Sequence, residues 1–280
     1  MPFIAIVGCG PLGGALAHTL AARDRAAEVR LIDPAAAMAQ GKALDIQQSG
    51  PVEQFRTRLT HAGSWAAVAG ADVIVLADDG ATGREHAGEA GLSVLREVAK
   101  SEAAAPLLFA GSGQRELMVR AAAELRVPVA RLIGSAPLAL ESAVRALSGV
   151  LLDTSGVEIA LRIVGVPPRA GVIAWEEGSA SALPVASQLA AHQIAALNAK
   201  LPSLWPPGPY ALASAATRVV EGLLGRSRRR FSCFVALGRG PRRDCVVAMP
   251  IEVGLEGVRR VIEPRLTRQE QTLLENAMEM

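Results

Sequence analysis

The stretch that decides the fold is FIAIVGCGPLGGALAHTLAARDRAAEVRLID, which runs from Phe3 to Asp33. It begins with a short apolar run that ends at a glycine, a pattern typical of a buried parallel strand. The segment Gly8-Cys9-Gly10-Pro11-Leu12-Gly13 follows at once. Apolar residues at helical spacing come next, and then a second apolar strand that ends at Asp33. A strand, a glycine-rich turn, a helix and a strand in this order predict a βαβ unit.

Each part of the turn has a physical role in holding a dinucleotide. Gly8 permits the tight turn, Gly10 lets the backbone approach a pyrophosphate, and Gly13 lets the helix pack closely on the strand. Phosphates are favoured at a helix N-terminus, where free N–H groups and the dipole attract negative charge. Asp33 lies twenty residues after Gly13, where a carboxylate binds ribose hydroxyls and repels a 2′-phosphate.

The sequence therefore predicts an NAD site, with NAD(H) preferred to NADP(H). The alternative interpretation is a glycine-rich turn in another kind of α/β protein, because such a motif alone is weak evidence. The predicted cofactor-binding residues are Gly8, Gly10, Pro11, Leu12, Gly13 and Asp33.

The composition restricts the class of protein. A chain of 280 residues suits one large or two modest domains, and its net charge of +2 argues against nucleic acid as the main partner. No apolar run reaches the length of a membrane span, and no export segment is evident. The three cysteines fit neither a disulfide framework nor a metal site. We expect a soluble cytoplasmic protein with no metal and no membrane partner, in which the basic cluster 226–230 is a solvated loop.

Strand and helix patterns alternate as far as residue 134, which predicts a parallel sheet with right-handed crossovers. The polar segment from Gly80 to Gly91 is interpreted as a mobile loop over the carboxyl ends of the strands, where such sheets bind ligands. Further on, we expect a hairpin of Phe231–Leu237 with Cys245–Val253 and a final helix capped at Thr267. The predicted fold class is α/β, with a doubly wound, Rossmann-type dinucleotide domain over residues 1–134 and an α+β domain over residues 135–280.

Several stretches together resemble the lactate/malate dehydrogenase family, and malate dehydrogenases most. The resemblance implies an oxidoreductase that moves a hydride between a nicotinamide and a 2-hydroxy or 2-oxo acid. It also implies a homodimer or homotetramer, with Leu44-Asp45-Ile46 and Ala211, Ala215 and Ala216 either between subunits or packed in their own domain. The stretches are the turn with Asp33, GKALDIQQSGPV (41–52), GADVIVLADDG (70–80), GPYALASAATRVVEGLL (208–224) and VAMPIEVGLEGVRRVIEPRLTRQEQTLLENAM (247–278).

The catalytic residues that the resemblance implies are largely replaced. In the family a histidine is the general acid and base, an aspartate orients it, one arginine binds the substrate carboxylate and another polarises the carbonyl from a mobile loop. The histidine position is Pro167 here, and the L-D-x-x-R helix start is Leu140-Glu141-Ser142-Ala143-Val144. Glu141 thus replaces the aspartate and Val144 the substrate arginine. The loop arginines fall on Thr82 and Gly88.

Three residues remain as candidates for a replacement role. His86 lies on the predicted loop and is otherwise a solvated loop histidine. Glu141 is an acid or base if burial raises its pKa, and otherwise a capping or ion-paired residue. Arg84 replaces a loop arginine only if the loop is shifted. Two function classes therefore stay open, an oxidoreductase with an unusual base and a non-catalytic NAD(H)-binding oligomer with a sensor or structural role.

Overall fold

Six parallel strands form the amino-terminal part of the sheet in this computed structural model, which describes residues 2–101, 104–225, 229–237 and 245–279. The strand order is β3-β2-β1-β4-β5-β6. β1 pairs with β2 on one side and with β4 on the other, so the strand order reverses between β1 and β4. Doubly wound sheets bind ligands at this reversal. The strands are β1 (Phe3–Val7), β2 (Glu28–Ile32), β3 (Arg58–Ala62), β4 (Val73–Leu76), β5 (Leu107–Phe109) and β6 (Leu132–Gly134).

Four helices connect these strands, namely α1 (Pro11–Ala22), α2 (Ala36–Glu53), α3 (Gly88–Ala99) and α4 (Arg115–Ala123). Helix α2 continues to Glu53 with Pro51 inside it, although a glycine followed by a proline is typical of a helix end. Pro51 lies in the last turn, where its missing N–H removes only one helical hydrogen bond. Helix α3 begins at Gly88, within the segment from Gly80 to Gly91 that was interpreted as a loop.

The carboxyl-terminal half extends the same sheet. The pairing order continues from β6 through β12, β13, β8 and β9 by antiparallel contacts, and β14 pairs with β13; β7, β10 and β11 form a separate small sheet. The strands are β7 (Ile159–Ala160), β8 (Ile163–Val166), β9 (Ala170–Ile173), β10 (Ser179–Ala180), β11 (Leu183–Pro184), β12 (Phe231–Ala236), β13 (Val246–Gly254) and β14 (Gly257–Val261). The helices are α5 (Ala136–Leu151), α6 (Val185–Gln188), α7 (Ala191–Lys200), α8 (Pro209–Leu223) and α9 (Arg268–Met278).

Several predictions for this half are confirmed. β12 and β13 form the expected antiparallel pair, and Thr267 exchanges capping hydrogen bonds with Glu270 at the start of α9. The predicted hairpin turn (238–244) and most of the basic cluster (226–228) lie outside the described residues. Because β6 pairs with β12, the sheet is continuous past Gly134, and the division into two domains stays a prediction.

The buried residues form two apolar clusters. The larger follows the main sheet, and the smaller lies under α5 and includes Leu140 and Val144. Ile46, Ala215 and Ala216, which we expected either between subunits or packed in their own domain, are at most 7% exposed within the single chain. In the described ranges no helix is both long and apolar enough to span a membrane.

Candidate dinucleotide site

The turn between β1 and α1 has the backbone geometry that its glycines predict. Gly8 has a φ of +102°, which residues with a β-carbon rarely adopt. A β-carbon on Gly13 would overlap the carbonyl oxygen of Gly8, so this position also needs glycine. The turn thus delivers the chain from β1 into α1 with the N-terminus of the helix at the carboxyl end of the sheet.

The backbone N–H groups of this turn already have partners within the chain. Residue 11 is proline and has no N–H group, and the other six residues from Gly8 to Gly14 all donate a hydrogen bond. The acceptors are the Ile32 carbonyl for Gly8 (2.8 Å), Asp33 Oδ2 for Cys9 (3.0 Å), the Asp78 carbonyl for Gly10 (2.9 Å), Asp78 Oδ2 for Leu12 (2.8 Å), Asp78 Oδ1 for Gly13 (2.7 Å) and the Gly10 carbonyl for Gly14 (2.9 Å).

Asp78 therefore caps α1 from the end of a neighbouring strand. It follows β4 by two residues and is only 3% exposed. Lys42 of α2 lies nearby, with Nζ 2.9 Å from the carbonyl oxygen of Gly10. Burial raises the pKa of Asp78, although the Leu12 and Gly13 N–H groups and the charge of Lys42 act in the opposite direction. Sequence reasoning missed this role; the available signal was an acid at the carboxyl end of the strand beside β1.

Asp33 is placed differently from the prediction. Its carboxylate is 1% exposed and accepts N–H bonds from Cys9 (3.0 Å), Gly80 (2.8 Å) and Ala35 (2.8 Å). A buried carboxylate is stabilised by backbone donors of this kind. In this structure Asp33 thus holds three chain segments together, whereas the sequence predicted a carboxylate available to ribose hydroxyls.

Cys9 is a small buried residue close to these carboxylates. Burial, with Asp33 as the next cause, raises the pKa of its thiol to about 12. The thiol is therefore protonated near neutral pH.

The segment interpreted as a mobile loop packs on the edge of the sheet. Asp78 and Glu85 form an antiparallel bridge, and the Glu85 carboxylate accepts the N–H groups of Ser112 (2.8 Å) and Gly113 (2.7 Å). A β-carbon on Gly83 would lie 3.5 Å from the Pro11 ring. The segment from residue 79 to residue 86 thus lies over the start of α1 and is attached to the β5–α4 turn.

His86 ends this segment and is not the solvated loop histidine of the alternative interpretation. Its side chain is 7% exposed and meets Trp65 edge-on, with 5.9 Å between the ring centroids. Burial lowers the pKa of His86, although Asp79 and Asp33 act in the opposite direction. Nε2 has no hydrogen-bond partner among the residues that the structure describes. Arg84, on the same segment, is exposed.

Glu141 belongs to a separate buried network. It is 1% exposed on α5, accepts a hydrogen bond from Ser232 Oγ (2.6 Å) and lies 3.2 Å from Arg162 Nη1 and 3.8 Å from Arg145 Nη1. Burial raises the pKa of Glu141, although these partners favour its charged form. Ser232 was missed from the sequence, where its signal was one hydroxyl in an otherwise apolar strand.

The two positions at which the resemblance predicts the family's histidine and substrate arginine are apolar here. Pro167 lies in the turn between β8 and β9, and Val144 is fully buried in the smaller apolar cluster. His86, Glu141 and Arg84 contact different elements and form no common network among the contacts described above. The three candidate residues therefore lie in three separate environments.

Comparisons with known proteins show which proteins this chain is similar to. Residues 3–92 match the protein-family model of the lactate/malate dehydrogenase NAD-binding domain. The malate dehydrogenase of Thermomicrobium roseum is 27% identical over 97% of this chain and 93% of its own length. That of Desulforudis audaxviator is 27% identical over 98% of this chain and 94% of its own. Over nearly its whole length this chain is similar to malate dehydrogenases, and over residues 3–92 to the NAD-binding domain of lactate/malate dehydrogenases.

Solved structures show the same fold. The malate dehydrogenase of Salinibacter ruber superposes with a TM-score of 0.88 at 22% identity, covering 99% of this chain and 94% of that one. The lactate dehydrogenase of Cryptosporidium parvum, in complex with lactic acid and NAD, gives a TM-score of 0.87 at 20% identity, with coverages of 99% and 95%. The predicted family and fold class are confirmed.

In the matched NAD-binding segment, the glycine pattern favours a bound pyrophosphate, whereas the hydrogen bonding of the backbone does not. Its glycines leave the backbone open to a pyrophosphate, as the family fingerprint requires. Its N–H groups donate to Asp33, Asp78 and backbone carbonyls instead. In the conformation described, the turn therefore does not fit a dinucleotide pyrophosphate.

Proposed function

We propose that this chain is an NAD(H)-binding member of its family that reduces oxaloacetate and pyruvate very slowly or not at all. The observation that carries the proposal is the apolar character of the two substrate positions. Val144 is fully buried in the smaller apolar cluster, and Pro167 forms the turn at which the family has its histidine.

The replacement of the histidine affects proton transfer. A proline ring has no group that titrates, so Pro167 supplies no acid or base. Positioned proton transfer by a side chain contributes on the order of 10²–10⁴-fold to a rate. This loss alone is enough to move turnover well below the ordinary enzyme range.

The replacement of the arginine affects substrate binding and orientation. An arginine holds a carboxylate through two parallel hydrogen bonds, and valine offers none. Loss of one partner of a buried charge pair costs about 2–5 kcal/mol in comparable interfaces. Because binding geometry and proton transfer affect different parts of the barrier, we expect both losses to be felt.

Two of the remaining candidates, Glu141 and Arg84, do not offer an evident substitute. Glu141 is held by Ser232 and Arg162, away from solvent, and Arg84 is exposed on the covering segment. Asp33 keeps a carboxylate close to the turn at the end of β2, which supports a preference for NAD(H) over NADP(H), because like charges repel a 2′-phosphate. When bound, NAD would supply or accept the hydride.

The test is steady-state oxidation of NADH with oxaloacetate and with pyruvate. We expect turnover well below about 1 s⁻¹, the lower end of the ordinary range. A double variant, Pro167→His with Val144→Arg, is the matched comparison, because it restores both residue types at the family positions. Turnover of the unmodified chain above that rate would contradict the proposal.

One observation favours a second candidate function, an oxidoreductase in which His86 moves the proton. Its imidazole is buried, its lowered pKa keeps it neutral near pH 7, and Nε2 lacks a hydrogen-bond partner in the described ranges. A panel of 2-oxo acids with NADH tests this function. Turnover that His86→Gln abolishes and His61→Gln leaves intact would support it. Absence of turnover on the whole panel leaves the non-catalytic NAD(H)-binding role, as a sensor or a structural oligomer.

A further inference from the structure

We propose that the Asp78 carboxylate is a built-in competitor of the dinucleotide pyrophosphate, so that NAD(H) binds only after Asp78 has left the N-terminus of α1. This inference rests on the proposed NAD(H) binding. It assigns to Asp78 the control of cofactor affinity.

The first support is the occupation of the phosphate donors. At the N-terminus of the twelve-residue helix α1, the N–H groups of Leu12 and Gly13 have no acceptor within the helix and are those that a phosphate needs. Both donate to Asp78, at 2.8 and 2.7 Å. One carboxylate with two oxygens thus takes the two hydrogen bonds that a phosphate would accept.

The second support is the occupation of space, which is independent of hydrogen bonding. Gly10 lacks a side chain so that a ligand can approach its backbone. A β-carbon added there would lie 2.5 Å from the carboxyl carbon and from Oδ2 of Asp78. The gap that Gly10 leaves is therefore filled by the Asp78 side chain, and a pyrophosphate would have to enter the same volume.

The third support is charge. The helix N-terminus and Lys42, which also favours the charged form of Asp78, suit one anionic group. Asp33 already bonds to the N–H group of Cys9 in the same turn. A pyrophosphate beside both carboxylates would add like charges in a site where Asp78 is only 3% exposed. Simultaneous occupation by Asp78 and a pyrophosphate is therefore unfavourable. The free energy needed to displace Asp78 lowers the apparent affinity of the unmodified chain for NAD(H).

The experiment compares the unmodified chain with Asp78→Ala and with the control variant Asp79→Ala. The control removes the same charge one residue further on, from a carboxylate that accepts the N–H group of Thr82 instead. NADH affinity is measured by isothermal titration, and inorganic pyrophosphate is the second probe, read by the shift in melting temperature. We expect Asp78→Ala to bind NADH at least about tenfold more tightly than the unmodified chain. It should also gain stabilisation by pyrophosphate, whereas Asp79→Ala should behave like the unmodified chain.

Each other outcome is decisive. An NADH affinity of Asp78→Ala equal to or weaker than that of the unmodified chain, together with no gain from pyrophosphate, overturns the inference. An equal gain in Asp79→Ala also overturns it, because the effect would then be one of general charge. If Asp78→Ala gains pyrophosphate binding and still binds no NADH, the competitor role stands and the proposed NAD(H) function fails. If Asp78→Ala does not fold, Asp78→Asn decides by the same two measurements, since it retains one oxygen acceptor and loses the charge.

Discussion

The substitution Glu141→Ala tests whether this residue is structural or catalytic. Its carboxylate is 1% exposed and is shared between Ser232 Oγ at 2.6 Å and Arg162 Nη1 at 3.2 Å. Removing one partner of a buried ion pair costs about 3–5 kcal/mol, because the other charge is left without compensation. The Arg162 side chain keeps 22% of its surface exposed, so that its charge can be partly hydrated. We therefore expect a loss near the lower limit, about 3 kcal/mol in the free energy of unfolding.

Urea unfolding followed by circular dichroism measures this loss, with Glu141→Gln and Glu89→Ala for comparison. The glutamine keeps the shape and an oxygen acceptor for Ser232, so we expect a smaller loss than for alanine. Glu89 pairs with Arg96 and Arg120 at the surface, and its removal should cause no measurable loss, because exposed ion pairs contribute little. A loss in Glu141→Ala below about 1 kcal/mol would refute the reasoning, since that is the size of an ordinary surface effect. Loss of NADH-dependent turnover at unchanged stability would also refute it and return Glu141 to the catalytic candidates.

Two further predictions concern pH and assembly. Burial lowers the pKa of His86 below its usual value of 6.5, so the unfolded chain takes up the proton first and stability is lost as the pH falls through about 6.5 toward the folded pKa. His86→Phe should therefore flatten the dependence of the melting temperature on pH between pH 7.5 and 5.5, about the range in which histidine titrates. An unchanged slope of melting temperature against pH would contradict this. Leu44 is 57% and Tyr210 82% exposed, which favours the expected homodimer or homotetramer. Light scattering should give a mass that is a multiple of one chain, and Leu44→Arg should reduce it. A one-chain mass for the unmodified protein would count against the oligomer.

The fold could be predicted from the sequence because its signals are local. The run from Phe3 to Val7, the glycines of the turn and the apolar face of α1 each belong to one short segment, and all agree on a βαβ unit. Where a local signal competed with packing, the prediction was less accurate. Pro51 alone is typical of a helix end, yet α2 continues to Glu53, since the lost hydrogen bond falls in the last turn.

The site was harder to predict because its contacts join distant segments. Asp78 meets Gly13 across 65 residues, and Ser232 meets Glu141 across 91. No periodicity or spacing encodes such a pair. The motif identified the donors of the turn, and the chain packing decides which acceptor they have.

Three carboxylates at the carboxyl edge of the sheet explain why the glycines persist in a turn with no free donor. Asp33, Asp78 and Glu85 together accept hydrogen bonds from seven backbone N–H groups. Close approach of a carboxylate to the backbone needs the same absence of side chains as close approach of a phosphate. A β-carbon on Gly80 would lie 3.0 Å from Asp33 Oδ2, and one on Gly10 would lie 2.5 Å from Asp78 Oδ2. The glycine-rich turn thus suits an anionic group at the start of α1, and in this structure that group is the Asp78 carboxylate.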